Sequence, residues 1–555
     1  MSTSQQWDVI VIGSGAGGGA VARRLSEAGM HVLVLEKGPR YQPDDYRHDE
    51  LAHVHRPFFT PDLMRDPHLV TTRKTTTPVR MKLGWSASCV GGGTEHMGAY
   101  LYRFHPYDFD QRSRYGAYQD LVDWPLDYAE LEPYYVQAEQ LLGVAGDGPA
   151  LERDYAPRSA PLPLPPLRSH PVTSALEAAI REQGMTPSPT PRAINSQAYA
   201  GRPACQYCPR CGNYGCPIEA RGTSQAALIK PAQASGRCEV RSQCMVSEIT
   251  LADAATASGC RYYDHTGAQH QVEAGHIVIA CSAVESARLL LLSRSRHYPD
   301  GLANRSGQVG RHLQFHGVTL GWAEYDSKHF HQLCQGQAET SPFIGRSVYD
   351  YFQLPENVAP LRRGGIIRFA SVSADPIGDA RSLAASPQGA LWGKPLLEKL
   401  ADYYPRHRRL GYEVFHDFIA NPDTYVTLDE QQLDAWGLPV ARIQLHVDPH
   451  QIQAGQWLAG RAEEVLQQLQ PLRIQRGVTG GTVSHLMHGT CRASDDPAGG
   501  VVDRDCRTHD VGNLYIADAS FMPTNGIAPP TLTIVANALR VADRIAASAG
   551  FVVSR

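Results

Sequence analysis

Apolar residues follow three rhythms along the chain. Near the start, Val9–Ile12 is a continuous apolar run, and a second, Val32–Leu35, ends in Glu36. Between them apolar residues recur at helical spacing through Ala20, Val21, Leu25 and Ala28. Two short unbroken runs flanking a 3.6-residue rhythm predict strand, helix, strand, as in a buried parallel sheet. Late in the chain the pattern returns. Leu514–Ile516 reads as a strand with Asp518 at its end, followed by a turn with Pro523 and Pro530. Leu532, Val535, Ala538, Leu539 and Ala542 then share one helix face. From about 320 to 475 the third rhythm, alternation, appears in segments such as "RIQLHVD" (Arg442–Asp448) and predicts an antiparallel sheet.

These rhythms predict a mixed α/β (α+β) chain in three parts: 1–319 and 476–555 form one discontinuous Rossmann-like unit, and 320–475 is an antiparallel-sheet unit inserted into it. A length of 555 residues accommodates two or three domains and a large cofactor. The Pro-rich stretch Gly148–Pro171 is expected as an extended surface connection. Hydrophobic residues at 42% and charged residues at 19% are those of a globular protein, and a net charge of -4 gives no drive toward nucleic acid. The longest aliphatic patch, "LLLLS" at Leu289–Ser293, is too short to span a bilayer. The first residues lack the basic and apolar regions of a signal peptide, so cytoplasmic residence is expected; export carried by a partner would place the chain in the periplasm.

Three clusters carry candidate chemistry. In "GSGAGG", Gly13 permits a tight turn, Gly15 lets backbone N–H groups approach a pyrophosphate, and Gly18 lets the helix pack closely on the sheet. Glu36 is placed to accept from ribose hydroxyls, and Asp518 suits a ribityl or pyrophosphate contact. This motif leaves FAD and NAD equally open, because both carry the adenosine diphosphate half. "CQYCPRCGNYGC" places Cys205, Cys208, Cys211 and Cys216 within twelve residues, while the remaining cysteines are scattered singly. The close spacing leans toward an iron–sulfur site, with zinc, a structural thiol turn and disulfides as alternatives. "SHLMHGTCR" supplies His485 and His488, and a neutral imidazole, with a pKa of about 6.5, suits a general base.

With these segments read, the chain resembles the glucose-methanol-choline (GMC) oxidoreductases. The resemblance extends through "CVGGGTEHMGAYLYRFHPYDF" (Cys89–Phe109), "DWPLDYAELEPYY" (Asp123–Tyr135), "HIVIACSAVESARLLLLS" (His276–Ser293) and "HLMHGTCR" (His485–Arg492). Within the family it is most similar to the large flavoprotein subunit of gluconate, fructose and glucose dehydrogenases. The resemblance implies FAD as cofactor and oxidation of a sugar, polyol or other alcohol by hydride transfer to flavin N5. It implies that Gly92, Gly93 and Thr94 cover the flavin, that His96 falls where some relatives link FAD covalently, and that Pro530 and Thr531 lie at the cofactor. It also implies that the four cysteines ligate an iron–sulfur cluster passing electrons to a cytochrome in an assembly with a small subunit.

His485, four residues before Gly489, is the base this resemblance favours. The family's second active-site residue is a His or Asn, but the matching slot in "IAPPTLT" holds Pro529, which has no side-chain donor and no N–H. Asn525 or His488 is therefore the candidate for the missing group. That departure keeps two other outcomes in view: a non-oxidative lyase or decarboxylase on the same fold, and a catalytically weakened flavoprotein subunit of a larger complex.

Overall fold

The computed structural model describes residues 7–53, 58–60, 62–72, 75, 77–81, 86–208, 211–337, 345–372, 376–386, 389–478 and 485–553. The predicted strand–helix–strand forms at Trp7–Ile12, Ala16–Glu27 and Val32–Leu35. Trp7–Ile12 lies between two parallel neighbours, Val32–Leu35 and Gln269–Ile279, and the strand Cys238–Arg241 extends the sheet beyond Val32–Leu35. Gln269–Ile279 serves two partnerships: its C-terminal half pairs in parallel with Leu514–Ile516, and its N-terminal half joins an antiparallel meander with Ala257–Tyr263 and Met245–Leu251. The late strand thus returns to the sheet begun by the first residues. The amphipathic helix Thr531–Ser548 packs beside Ala16–Glu27, with Arg24 Nε 2.7 Å from Asp543 Oδ1 across the pair. Val9, Ile10, Val11, Leu33, Ile277, Ile516, Leu532 and Val535 close one dry core there, each at most 1% exposed.

A second sheet is antiparallel, in the order Arg473–Val478, Gln314–Asp326, His407–His416, Gly365–Ser371, Arg346–Val348 and Ser188–Pro189, with His485–His488 also paired to Gln314–Asp326. Its alternation has a direct cause. Ala323, Tyr325, Ile367, Phe369 and Val414 point to one face and are buried under the helix Pro449–Gln468, against Leu458 and Ala462. That helix starts where Asp448 accepts from His450 N (2.9 Å) while Gln451 returns a bond to Asp448 N (3.0 Å), with Pro449 at its first position. The opposite face is left to line a cavity.

Two local expectations are corrected. The run Arg442–Asp448 is strand only to Leu445, and this strand, Pro439–Leu445, joins a small mixed sheet with Tyr425–Leu433, His68–Thr72 and Val79–Met81. The Pro-rich stretch begins as a short helix, Gly148–Asp154, because Asp147 caps it and Pro149 sits in its first turn, where a missing N–H costs nothing. Among the described residues no helix is long and apolar enough to cross a membrane.

Candidate active site

One cavity of about 770 Å³ runs from the glycine turn of the parallel sheet to the open face of the antiparallel sheet. At its first end the glycines have separate tasks. Gly13 has φ +98°, and a Cβ on it would lie 2.4 Å from the Ala280 carbonyl oxygen. A Cβ on Gly17 or Gly18 would meet the Ala517 or Gly13 carbonyl oxygen at 1.8 or 2.0 Å, so these two residues let the helix seat on the sheet. Gly15 differs: nothing stands within 4 Å of its absent Cβ, and it lines the cavity. The sequence reading anticipated Gly13, Gly15 and Gly18 but missed Gly17, whose partner is some 500 residues away and invisible to local spacing.

Ser14, also missed, is the hinge of the polar network. Its N–H (3.0 Å) and Oγ (2.7 Å) both donate to Glu36 Oε2, and Oγ accepts from Gly91 N at 3.0 Å. Gly38 N donates to the other Glu36 oxygen at 2.9 Å. Burial pushes the Glu36 carboxyl above its usual range, against these lowering hydrogen bonds. The loop around Gly92, Gly93, Thr94 and His96 folds over the glycine turn: Thr94 donates to the Gly91 carbonyl (2.7 Å) and accepts from Ser224 N (2.8 Å), which turns its hydroxyl inward to hold the loop. The His96 ring lines the cavity and stacks on Phe59, with centroids 5.0 Å apart and planes 9° apart.

Asp518 borders the cavity, but its carboxylate is engaged by the protein: Ser282 N (3.0 Å) and Ser286 Oγ (2.5 Å) donate to one oxygen, Ser520 N (2.8 Å) and Oγ (2.5 Å) to the other. Pro529, Pro530 and Thr531 stand at the wall where the helix Thr531–Ser548 begins. Neither that helix, with Pro530 at its N-cap, nor Ala16–Glu27, with Gly15 there, receives a capping bond from its N-cap side chain. Two helix starts without an N-cap side-chain bond therefore open on one cavity, which suits anionic groups.

At the far end the wall is Leu320, Trp322, Arg368, Ala370, Gly411 and Glu413, with Leu486 and Met487 alongside. Arg368 pairs with Glu413 at 2.6 Å. Leu486 has φ +62°, a left-handed conformation unusual for leucine and set beside the cavity. The backbone of His485 pairs with His316; its side chain lies outside what the structure describes. His488 is fully buried away from the cavity, both ring nitrogens lack hydrogen-bond partners among the described residues, and burial pushes its pKa down to about 3. Asn525 is also buried off the cavity wall, its amide donating to the Phe315 carbonyl at 3.0 Å. Neither residue stands where Pro529 does.

Cys211 reaches the cavity wall, whereas Cys205, Cys208 and Cys216 do not. All four are free thiols. Burial, together with the neighbouring thiols, pushes Cys205 up to about 11; burial also raises Cys211, although Arg221 Nη2 donates to its sulfur at 3.3 Å. Among the described residues no three Cys, His, Asp or Glu side chains are grouped to hold a metal ion. As placed, the four thiols do not fit a cluster.

A Rossmann-type turn opening into a cavity floored by an antiparallel sheet defines a nucleotide-cofactor enzyme. Family models described as GMC oxidoreductase match residues 70–318 and 420–538, and one for an NAD(P)-binding Rossmann-like domain matches 11–66. The chain belongs to the GMC oxidoreductases. It is 33% identical to 6'''-hydroxyparomomycin C oxidase of Streptomyces lividus over 97% of this chain and 91% of that protein. It is 28% identical to the fructose dehydrogenase large subunit of Gluconobacter japonicus, over 97% of each chain. The structure of an FAD-dependent oxidoreductase from Chaetomium thermophilum superposes with a TM-score of 0.64, at 16% identity over 99% of this chain and 100% of that one, and so shares the fold.

Proposed function

We propose that the protein binds FAD and oxidises a CH–OH group of a sugar, polyol or other alcohol to a carbonyl, as a dehydrogenase. The observation that carries this reading is the continuity of the cavity: a dinucleotide cradle at Gly13–Gly15 and Glu36 opens without a partition onto the sheet wall at Arg368 and Glu413. The two uncapped helix starts fit the pyrophosphate and an electron-rich flavin ring, and the open space at Gly15 fits close backbone approach to phosphate. When bound, FAD supplies the hydride-accepting N5. The family membership and the relatives named as oxidase and dehydrogenase support the same chemistry.

The chain's own residues then divide the work. Glu36 accepts from ribose hydroxyls in addition to Ser14 and Gly38, since a carboxylate offers about four lone-pair sites. Asp518 acts by fixing Ser282, Ser286 and Ser520 around the cofactor. His96 borders the ring with its imidazole stacked on Phe59. His485, at the start of the strand that carries Leu486 and Met487 past the cavity, takes the hydroxyl proton as base. Pro529 closes its side of the pocket without offering a proton or a hydrogen bond. In this reading 1–319 and 476–555 make the cofactor unit and 320–475 most of the substrate wall. No electron step is routed through the cysteine group, whose geometry does not support a cluster. The relative named as a large subunit supports an assembly in which a partner chain takes the electrons.

The test is anaerobic addition of alcohol to the holoenzyme. Flavin bleaching with one carbonyl formed per flavin is expected, and His485→Ala is expected to slow it by about 10²–10⁴. Product formed without bleaching points to the lyase or decarboxylase reading, and neither bleaching nor product to a weakened subunit.

A further inference from the structure

The face that the antiparallel sheet turns to the cavity follows from its register. Leu320 lies opposite Glu413, which lies opposite Arg368; two residues along, Trp322 lies opposite Gly411, which lies opposite Ala370. Three strands thus lay a two-row floor, and all of its positions line the cavity. Val372, two residues beyond Ala370, covers Gly411: its Cγ2 stands 2.7 Å from where a Cβ on that glycine would lie. The charged pair of this floor is turned on itself. Arg368 Nε (2.9 Å) and Nη2 (2.6 Å) both donate to Glu413 Oε2, and the two side chains are only 10% and 19% exposed. Arg368 Nη1 and the Trp322 indole N–H are buried inside the wall and offer nothing to a ligand.

What this end shows to the cavity is mostly hydrocarbon and thioether. Leu320, Trp322, Leu486 and Met487 line it half-buried, and Val372 is 41% exposed. Among the described residues the other charged side chains of the wall belong to the cofactor end and are matched there. Glu285 is met by His68 (2.8 Å), Arg288 (3.3 Å) and Lys37 (3.5 Å), Asp518 by its serines, and Glu36 by Ser14 and Gly38. A polyhydroxy ligand on the floor would leave hydroxyls without partners after losing their water, which weakens binding. A hydrocarbon group would instead cover apolar side chains that now face the cavity, and gain by it.

We propose that the substrate is an alcohol whose carbinol carries a hydrocarbon group, alkyl or aryl, seated on the floor made by Leu320, Trp322, Ala370 and Val372. The inference rests on the reaction proposed above and narrows its substrate class: sugars and polyols are the poor ligands of this site. The paired Arg368 and Glu413 shape the floor and contact no hydroxyl.

The test separates recognition from turnover. Ligands are titrated calorimetrically into dithionite-reduced holoenzyme, which cannot accept hydride, and the same ligands are then offered anaerobically to the oxidised enzyme. The probes are straight-chain alcohols from ethanol to octanol, benzyl alcohol, glycerol, a methyl hexopyranoside and an amino sugar. Each added methylene should tighten binding about threefold to fourfold until the floor is covered. Hexanol should bind at least about 100-fold more tightly than the hexopyranoside or the amino sugar. Val372→Asp, at a side chain exposed enough to carry a charge, should weaken octanol about tenfold and flatten the gain per methylene, whereas Val372→Ile should stay within about threefold of wild type. The wild-type series decides by itself if the aspartate variant does not load flavin. Affinity that is independent of chain length, tighter binding of the sugar than of hexanol, or a flavin-loaded Val372→Asp with the wild-type slope overturns the proposal. The predicted binding series without bleaching by any alcohol would uphold the apolar site and defeat the oxidation reading; bleaching by a tightly bound sugar would do the reverse.

Discussion

The two ends of the cavity are built on opposite rules. At the cofactor end three polar side chains are already satisfied within the protein: Asp518 accepts four hydrogen bonds, Glu36 three, and Thr94 both donates and accepts. At the sheet end Arg368 Nη1 and Trp322 Nε1, buried within the wall, have no hydrogen-bond partner among the described residues, and behind the wall neither do the two ring nitrogens of His488. The first pattern holds a rigid cradle in one shape. The second leaves donors unpaired inside a wall whose shape is set by packing more than by hydrogen bonds.

Substitutions should separate these rules. The largest effect is expected at Gly17, where a valine would drive side-chain carbon into the Ala517 carbonyl; Gly17→Val should yield no soluble flavin-loaded protein, read from the flavin-to-protein absorbance ratio. Gly15→Ala, facing open space, should fold with unchanged melting temperature as the apoprotein yet bind FAD at least tenfold more weakly. If both variants fail alike, the division of labour within the turn is wrong.

Asp518→Asn should cost about 3 kcal/mol in thermal unfolding, because an amide nitrogen would face donors now received by a carboxylate. His488→Leu should be smaller still at pH 7.5, within about 1 kcal/mol of wild type, because no hydrogen bond is lost. Its signature lies in acid. The folded pKa of His488 is depressed to about 3, so its stability contribution is complete above the unfolded value near 6.5 and is lost as pH falls toward 3. Over that window the unfolded chain binds one proton more, and wild type should lose about 1.4 kcal/mol per pH unit from this group. His488→Leu should flatten the slope by that amount in chemical denaturation. An unchanged slope would show that His488 is hydrated or bonded in solution.

The same contrast explains what could be read from the sequence. The cofactor end was legible because its demands are local: a strand, a turn free of side chains and a helix must follow one another within some thirty residues, so Gly13, Gly15, Gly18 and Glu36 announce themselves. The helix Thr531–Ser548 was equally visible from its apolar stripe. Gly17 and Ser14 were missed because their reasons, Ala517 and Gly91, are distant in the chain. The sheet end was illegible for a stronger reason. Arg368 and Glu413, 45 residues apart in sequence, meet only through the register between two strands, and nothing about either residue's neighbours marks the face it will occupy. His488 and Asn525 attracted attention by residue type, yet strand pairing and packing carry both behind the wall. The cysteine group attracted attention by its spacing, yet among the described residues no three Cys, His, Asp or Glu side chains are grouped to hold a metal ion.

In the proposed function the two ends form one reaction chamber, with a carbinol at the sheet wall and the hydride acceptor at the cradle. Anaerobic single-turnover bleaching with a substrate deuterated at the carbinol carbon tests it most directly. Stoichiometric bleaching slowed several-fold by the deuterium is expected, with the carbonyl product lacking the transferred atom. Bleaching at the same rate with both isotopologues across pH and concentration, or flavin that stays oxidised while substrate is consumed, would contradict it.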